Sequence, residues 1–252
     1  MIQPASNKCL QCDAHCVRAP EARRPTLNDK RAMVSAGYKH MKLTEQLGIW
    51  SRAFGRGVFP HQMTWFLDLP GRGLLMSAKT VAGRLSVTAN AQVLEIGPGS
   101  GYYSVEAARR IPDGRLTLLD VQPEMLAKSA DKLKAAGMSN FVTQQADGQS
   151  LPFEDASFDA IFMVTVFGEI EGRDPFLTEA RRVLRPNGVL SITEHHPDPD
   201  FEPAASVASC LEAHGFKALQ QLGWRWAYTL NAIKADNADA NSQSTDPNAI
   251  VR

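Results

Sequence analysis

The sequence predicts an α/β domain, a doubly wound parallel sheet with helices covering both faces. Three observations lead there. Short apolar runs of strand length recur from residue 92 onward, segments of helical spacing alternate with them, and the first run passes into a glycine-rich turn, VLEIGPGSGYYS. The chain has 252 residues, 44% hydrophobic and 21% charged, enough to bury a sizeable core in one large domain with appendages.

Residues 1–42 are rich in Pro, Arg, Ala and Asn without a sustained period and read as a flexible basic arm, with eight Lys and Arg against three acids. Met33 and Met41 leave open a start later than Met1. Residues 43–88 mix leucines and aromatics with Gly and Pro breaks, which predicts a cap of two or three short helices, the last ending near Leu85. Residues 89–234 then alternate regularly. QVLEIG and RLTLLD are the first two strands, with the helix SGYYSVEAARRI between them and the helix PEMLAKSADKLKAAG after them. NFVTQQAD, FDAIFMVTV and VLSITEH follow as strands, and DPFLTEARRVLRPNG is a helix with a Pro-Asn-Gly stop. HGFKALQQL and WAYTLNAIKA close the domain as a strand pair, and residues 235–252, polar and aperiodic, are expected to be disordered.

Composition excludes several classes. Lys plus Arg equals Asp plus Glu, 27 each, so no global field recruits nucleic acid or an anionic membrane. No apolar run approaches the ~18 residues that span a bilayer, and the N-terminus lacks the apolar stretch of a secretory signal. The expected compartment is the cytoplasm. Cys9, Cys12 and Cys16 with His15 could supply metal ligands, but there is no second C-x-x-C pair, Cys210 is distant, and His15 adjoins Cys16. Reduced thiols on a mobile arm, with no metal, is the preferred reading.

The glycine loop carries the functional argument. In an open parallel sheet, ligands bind beyond the carboxyl ends of the strands, where the strand order reverses. Gly97, Gly99 and Gly101 follow the first strand, remove Cβ atoms and permit unusual φ values, so a ligand can lie against bare backbone beside a helix start. Alone, this fits a dinucleotide or another adenosine compound. The G-x-G-x-G spacing, with Glu95 two residues ahead, disfavours a nicotinamide dinucleotide, whose turn has G-x-G-x-x-G. Asp120 ends the second strand, where a carboxylate can accept both ribose hydroxyls. Asp147 and Gly148 follow the third strand, where an acid can accept from an adenine amine. Each acid is also an ordinary cap or turn former.

Together VLEIGPGSG, LTLLD with PEML, ADGQSLPFEDASFDAI and EARRVLRPNGVLSITE resemble the class I S-adenosylmethionine-dependent methyltransferases, in particular the type 11 small-molecule branch that includes quinone-biosynthesis enzymes. The likeness covers about residues 90–195. It implies a seven-stranded, mostly parallel, Rossmann-like sheet with an antiparallel last strand, and S-adenosylmethionine as cofactor. It further implies that Glu95, Gly97, Gly99 and Gly101 surround the methionine moiety and that Asp120 holds the ribose. Val121 and Met125 would flank the adenine, Asp147 and Gly148 would read its edge, and Thr165 would lie near the sulfonium.

Methyl transfer needs a general base only when the nucleophile must lose a proton. Candidates are Glu169 after the fourth strand and His195 and His196 after the fifth, with His61 and Tyr102 on the cap side. Adjacent residues of an extended stretch point to opposite faces, so at most one of the two histidines enters a site. The motifs do not name the acceptor. No Asn/Asp-Pro-Pro-aromatic element and no Pro-Cys nucleophile follow the fourth strand, which argues against nucleic-acid bases. Trp50, Phe54, Phe59, Trp65, Phe66 and Leu69, with Trp224 and Trp226, suit a small apolar or aromatic acceptor or, equally, plain packing. The aromatic cap is also suited to peripheral contact with a membrane surface, which nothing in the sequence requires. Oligomeric state is not encoded in these patterns. A nicotinamide-dependent oxidoreductase and a non-catalytic S-adenosylmethionine-binding protein remain the alternatives.

Overall fold

Seven strands join in the order β3-β2-β1-β4-β5-β7-β6 in the computed structural model, which describes residues 76–234. The strands are β1 (Gln92–Ile96), β2 (Arg115–Asp120), β3 (Phe141–Gln145), β4 (Phe158–Val164), β5 (Leu184–His195), β6 (Phe216–Trp224) and β7 (Ala227–Lys234). The helices are α1 (Ala78–Arg84), α2 (Tyr102–Arg110), α3 (Pro123–Ala135), α4 (Arg173–Val183) and α5 (Ala204–Ala213). β1 to β5 pair in parallel, whereas β7 runs antiparallel to both β5 and β6. The doubly wound, mostly parallel, seven-stranded sheet is therefore as expected. The residues before 76 and after 234 lie outside the described part, and with them Cys9, Cys12, Cys16, His61 and the aromatics from Trp50 to Leu69.

Burial on both faces explains the strand sequences. β1 and β4 sit at the centre, and their runs VLEI and AIFMV are buried at every position. A strand covered on both sides needs apolar residues throughout, not alternately. Leu94, Ile96, Ile161 and Met163 face α4 and α5, where Phe176, Leu177, Val183 and Leu211 meet them. Val93, Leu116, Leu118 and Phe162 face the other layer, with Val81 and Leu85 of the α1 segment, Tyr103 of α2 and Leu133 of α3. The segment around α1 thus shares an apolar layer with the sheet.

Local rules set the helix ends. Ser77 caps α1, its hydroxyl accepting from Thr80 N–H at 3.1 Å. Pro123 opens α3 at a position where a helix has no use for an N–H. The structure corrects one stop. The helix expected to run to the Pro-Asn-Gly ends at Val183, because Arg185 precedes Pro186 and is biased away from helical geometry. Leu184 already pairs with Phe158, the register then jumps to Val189 opposite Ala160, and Asn187 takes φ 60° in the resulting bulge.

Phe176 is fully buried between α4 and the sheet. Phe176→Ala is expected to lower unfolding free energy by about 3–5 kcal/mol, from lost burial and the cavity left behind, as measured by urea denaturation.

Candidate functional site

The chain leaves β1 through Gly97, whose N–H donates to Leu119 O at 2.8 Å and whose φ is 65°. A Cβ at Gly97 would stand 2.7 Å from Val166 Cγ2, and one at Gly101 (φ 77°) would stand 2.8 Å from Ser129 Cα. Two of the three loop glycines are thus required by the protein's own packing: one lets the β4 turn cross the loop, the other lets α2 close on α3. The main chain between them, with Gly99 at φ 55°, is what remains for a ligand.

The strand order puts the expected site residues along one edge. From β3 to β4 the tips carry Asp147 and Gly148, then Asp120, then Glu95 and the loop, then Thr165. Three strand spacings of ~4.8 Å make this edge roughly 14 Å long, which suits a nucleoside with an extended tail. Asp120 is buried, and its Oδ1 accepts from Gln122 N–H at 2.9 Å. Asp147 is exposed and repeats the arrangement with Gln149 N–H at 3.0 Å. Both acids therefore shape local turns whatever else they bind. Val121 is exposed beside Asp120, whereas Met125 is buried on α3. Thr165 follows β4 at φ 53°, a backbone region uncommon for a β-branched residue, and its N–H donates to Thr193 O at 2.8 Å.

The two candidate histidines diverge. Glu169 is half-buried in the short turn Phe167–Glu169. His195 is buried, with Nδ1 3.2 Å from His196 O. His196 points elsewhere, its ring packed on Phe201 with centroids 4.2 Å apart and edge-on to Trp226 at 5.2 Å. The divergence follows from strand alternation. Sequence reasoning passed over Glu194, which lies between Thr193 and His195. It is 1% exposed, Phe167 N–H donates to its carboxyl, and Oε1 has no hydrogen-bond partner among the described residues. An acid inside the apolar run VLSITE was the available signal.

The electrostatics are unusual. Burial pushes Glu95 up to about 8, helped by the Asp120 charge and opposed by the Ser104 hydroxyl. Burial likewise raises Asp120 to about 6, against the N–H groups of Gln122 and Val121. Glu194 rises to about 9 through burial first, then the charges of Asp198, Glu202 and Glu169. No ion pair among the described residues involves any of the three. Bare main chain, a Glu95 Oε2 without a hydrogen-bond partner among the described residues and a buried Asp120 fit a ligand carrying both positive charge and ribose hydroxyls. No group of three His, Cys, Asp or Glu among the described residues is placed to hold a metal. A groove of about 460 Å3 lies between α1, α2 and α3; Tyr102, which follows Gly101, and Lys132, which donates to Ser100 Oγ at 3.3 Å, border it, whereas none of the loop glycines or strand-end acids does.

A sheet of this order, with an acid-glycine loop after its central strand, is the arrangement that the resemblance to class I S-adenosylmethionine-dependent methyltransferases implies. Comparison with known proteins agrees. Residues 93–188 match the family model described as a methyltransferase domain. The ubiquinone/menaquinone biosynthesis C-methyltransferase UbiE of Hahella chejuensis is 28% identical over 189 residues, 74% of each chain. The demethylmenaquinone methyltransferase of Tropheryma whipplei is 37% identical over 114 residues, 45% of this chain and 46% of its own. Apart from the Hahella protein, these relatives are spanned over about half their length. A methyltransferase structure from Aquifex aeolicus superposes with a TM-score of 0.66 at 24% identity, covering 71% of this chain and all of its own. The [4+2]-cyclase SpnF shares the fold at a TM-score of 0.56 and 21% identity, over 63% of this chain and 79% of its own. The chain is an enzyme of the methyltransferase class that uses S-adenosylmethionine, similar to quinone-biosynthesis C-methyltransferases. The nicotinamide alternative finds no support.

A carboxyl whose folded pKa is raised binds a proton in the native state that the unfolded chain has released. Its contribution to stability is full below the unfolded value of ~4.3 and is lost as pH climbs through the folded one. Thermal unfolding of the ligand-free protein is therefore expected to move to lower temperature between pH 5 and about 9, where Glu194 titrates. Glu194→Gln should make that fall shallower.

Proposed function

We propose that the chain transfers a methyl group to a small apolar or aromatic acceptor held over the carboxyl ends of β4 and β5. The observation that carries this reading is the ordered set Asp147, Asp120, Glu95 with its loop, and Thr165 on successive strand tips. Support for the acceptor class comes from relatives whose names assign them to ubiquinone and menaquinone biosynthesis.

When bound, S-adenosylmethionine supplies an electrophilic methyl group on a positively charged sulfur. Asp120 holds the ribose hydroxyls with a carboxylate already oriented by the Gln122 N–H, which lowers the ordering cost of binding. Glu95, at the foot of the loop, provides negative charge for the cationic end of the ligand. Val121, exposed beside Asp120, would flank the adenine, and Asp147 with Gly148 would meet its edge, whereas Met125 is buried on α3. Thr165, whose N–H donates to Thr193 O, holds the β4 turn in place and would lie near the sulfonium. Alignment of donor and acceptor in a site that excludes water supplies most of the acceleration. Where the acceptor must lose a proton, Glu169 or His195 is the base. His196 is committed to Phe201 and Trp226.

Two measurements test this assignment. Asp120→Ala is expected to weaken S-adenosylhomocysteine binding ten- to hundred-fold by calorimetry, about 1.5–3 kcal/mol for charge-assisted hydrogen bonds, and unchanged affinity would remove Asp120 from its role. A cationic ligand beside Glu95 stabilises its ionised form, so binding near pH 7 should release protons. Calorimetry in two buffers of different ionisation enthalpy reads that release, which Glu95→Gln should abolish.

A further inference from the structure

We infer that the tip of the β6–β7 hairpin is a lipid-surface contact, which docks the carboxyl edge of the sheet against a bilayer bearing anionic headgroups. Trp224 and Trp226 are 79% and 54% exposed, and such aromatics on one tip are what membrane-interface positions select, apolar in body with one polar N–H. The turn is built to display them. Trp224 pairs with Ala227 across a two-residue connection of Arg225 and Trp226, and Gly223 takes φ 104°. A Cβ at Gly223 would stand 2.4 Å from Ala227 O, so only glycine permits this approach. The Arg225 guanidinium lies 4.4 Å from the centre of the Trp226 ring and has no carboxylate partner among the described residues. The tip is therefore aromatic with an uncompensated cation, the combination that partitions into headgroups and favours anionic ones.

Other occupants fit less well. A stable protein interface needs about 800 Å2 per partner, more than a convex two-residue turn presents. Strand pairing with a second copy along β6 is opposed by the register shift between Ala218 and Gln220 and by the positive φ of Gly223, both of which break the edge ladder. The location gives the contact its use. Trp226 O accepts from His196 N–H at 2.9 Å, so the tip is continuous with the end of β5. This functional meaning rests on the proposed acceptor position above β4 and β5, whereas the lipid contact itself does not.

Vesicle sedimentation of the full chain tests the inference, with phosphatidylcholine alone and phosphatidylcholine mixed with phosphatidylglycerol. The wild type should sediment preferentially with the mixed vesicles, less so at high salt. Trp224→Ala/Trp226→Ala should reduce the bound fraction at least about fivefold. Arg225→Gln should erase the preference for the anionic lipid. S-adenosylhomocysteine affinity, measured on the same variants, should stay unchanged, which shows intact folding and separates this outcome from failure of the methyltransferase site. Wild-type sedimentation by the double tryptophan variant, or no sedimentation of the wild type with either vesicle, overturns the inference. So does a concentration-dependent dimer in light scattering that the same double variant abolishes, since a second copy would then be the occupant.

Discussion

The reversal of winding direction at β1 governs the arrangement of everything else. The chain builds outward from β1 through β2 to β3, then returns to lay β4 on the other side of β1 and continues to β5. Connections leaving β1 and β4 must diverge, which opens a crevice at their carboxyl ends. Gly97 lies at that crevice, and its missing Cβ is where Val166 of the β4 turn comes to rest. A side chain at position 97 would collide with the Val166 methyl groups and strain a positive φ, in contact with the turn that also carries Thr165 and Phe167 N–H, the donor to Glu194. The glycine loop therefore sets the geometry of the β4 side of the site as well as the bare backbone of the β1 side.

Buried acids are the second theme. Glu95, Asp120 and Glu194 stand on three strand tips with their carboxyls out of water and with no described ion-pair partner. A fold that needed only stability would have little use for this, since each buried group lowers its desolvation penalty by holding a proton. The arrangement is intelligible where the missing partner is a ligand with positive charge. Preorganised negative charge in a dry crevice then acts on that ligand with little reorganisation. Glu194 adds a neutral acid whose Oε1 is unmatched, tied through the Phe167 N–H to the turn that also carries Glu169.

Much of the fold, and the edge on which the candidate residues stand, was legible because the signals are local. VLEIGPGSG, LTLLD and the Asp147-Gly148 pair each lie within a few residues of a strand end, so spacing alone places them once the sheet is parallel. What stayed hidden depends on partners far away in sequence. Glu194 reads as an ordinary strand residue until the fold buries it within reach of the charges of Asp198 and Glu202. The need for Gly97 arises from Val166, 69 positions later, and that for Gly101 from Ser129 on the next helix. His195 and His196 look alike in sequence, and only the packing of Phe201 and Trp226 separates them. The Pro-Asn-Gly stop was placed late because Leu184 gains a strand pairing that no helix signal reports.

The central claim is that the strand-tip acids and the loop form one binding site for an adenosyl ligand. A crystal structure with S-adenosylhomocysteine bound tests it most directly. The account predicts ribose hydroxyls within hydrogen-bond distance of Asp120, the amino-acid tail along residues 97–101, and the sulfur beside Thr165. Density for the ligand in the groove between α1, α2 and α3 instead, or a ribose out of reach of Asp120, would contradict it.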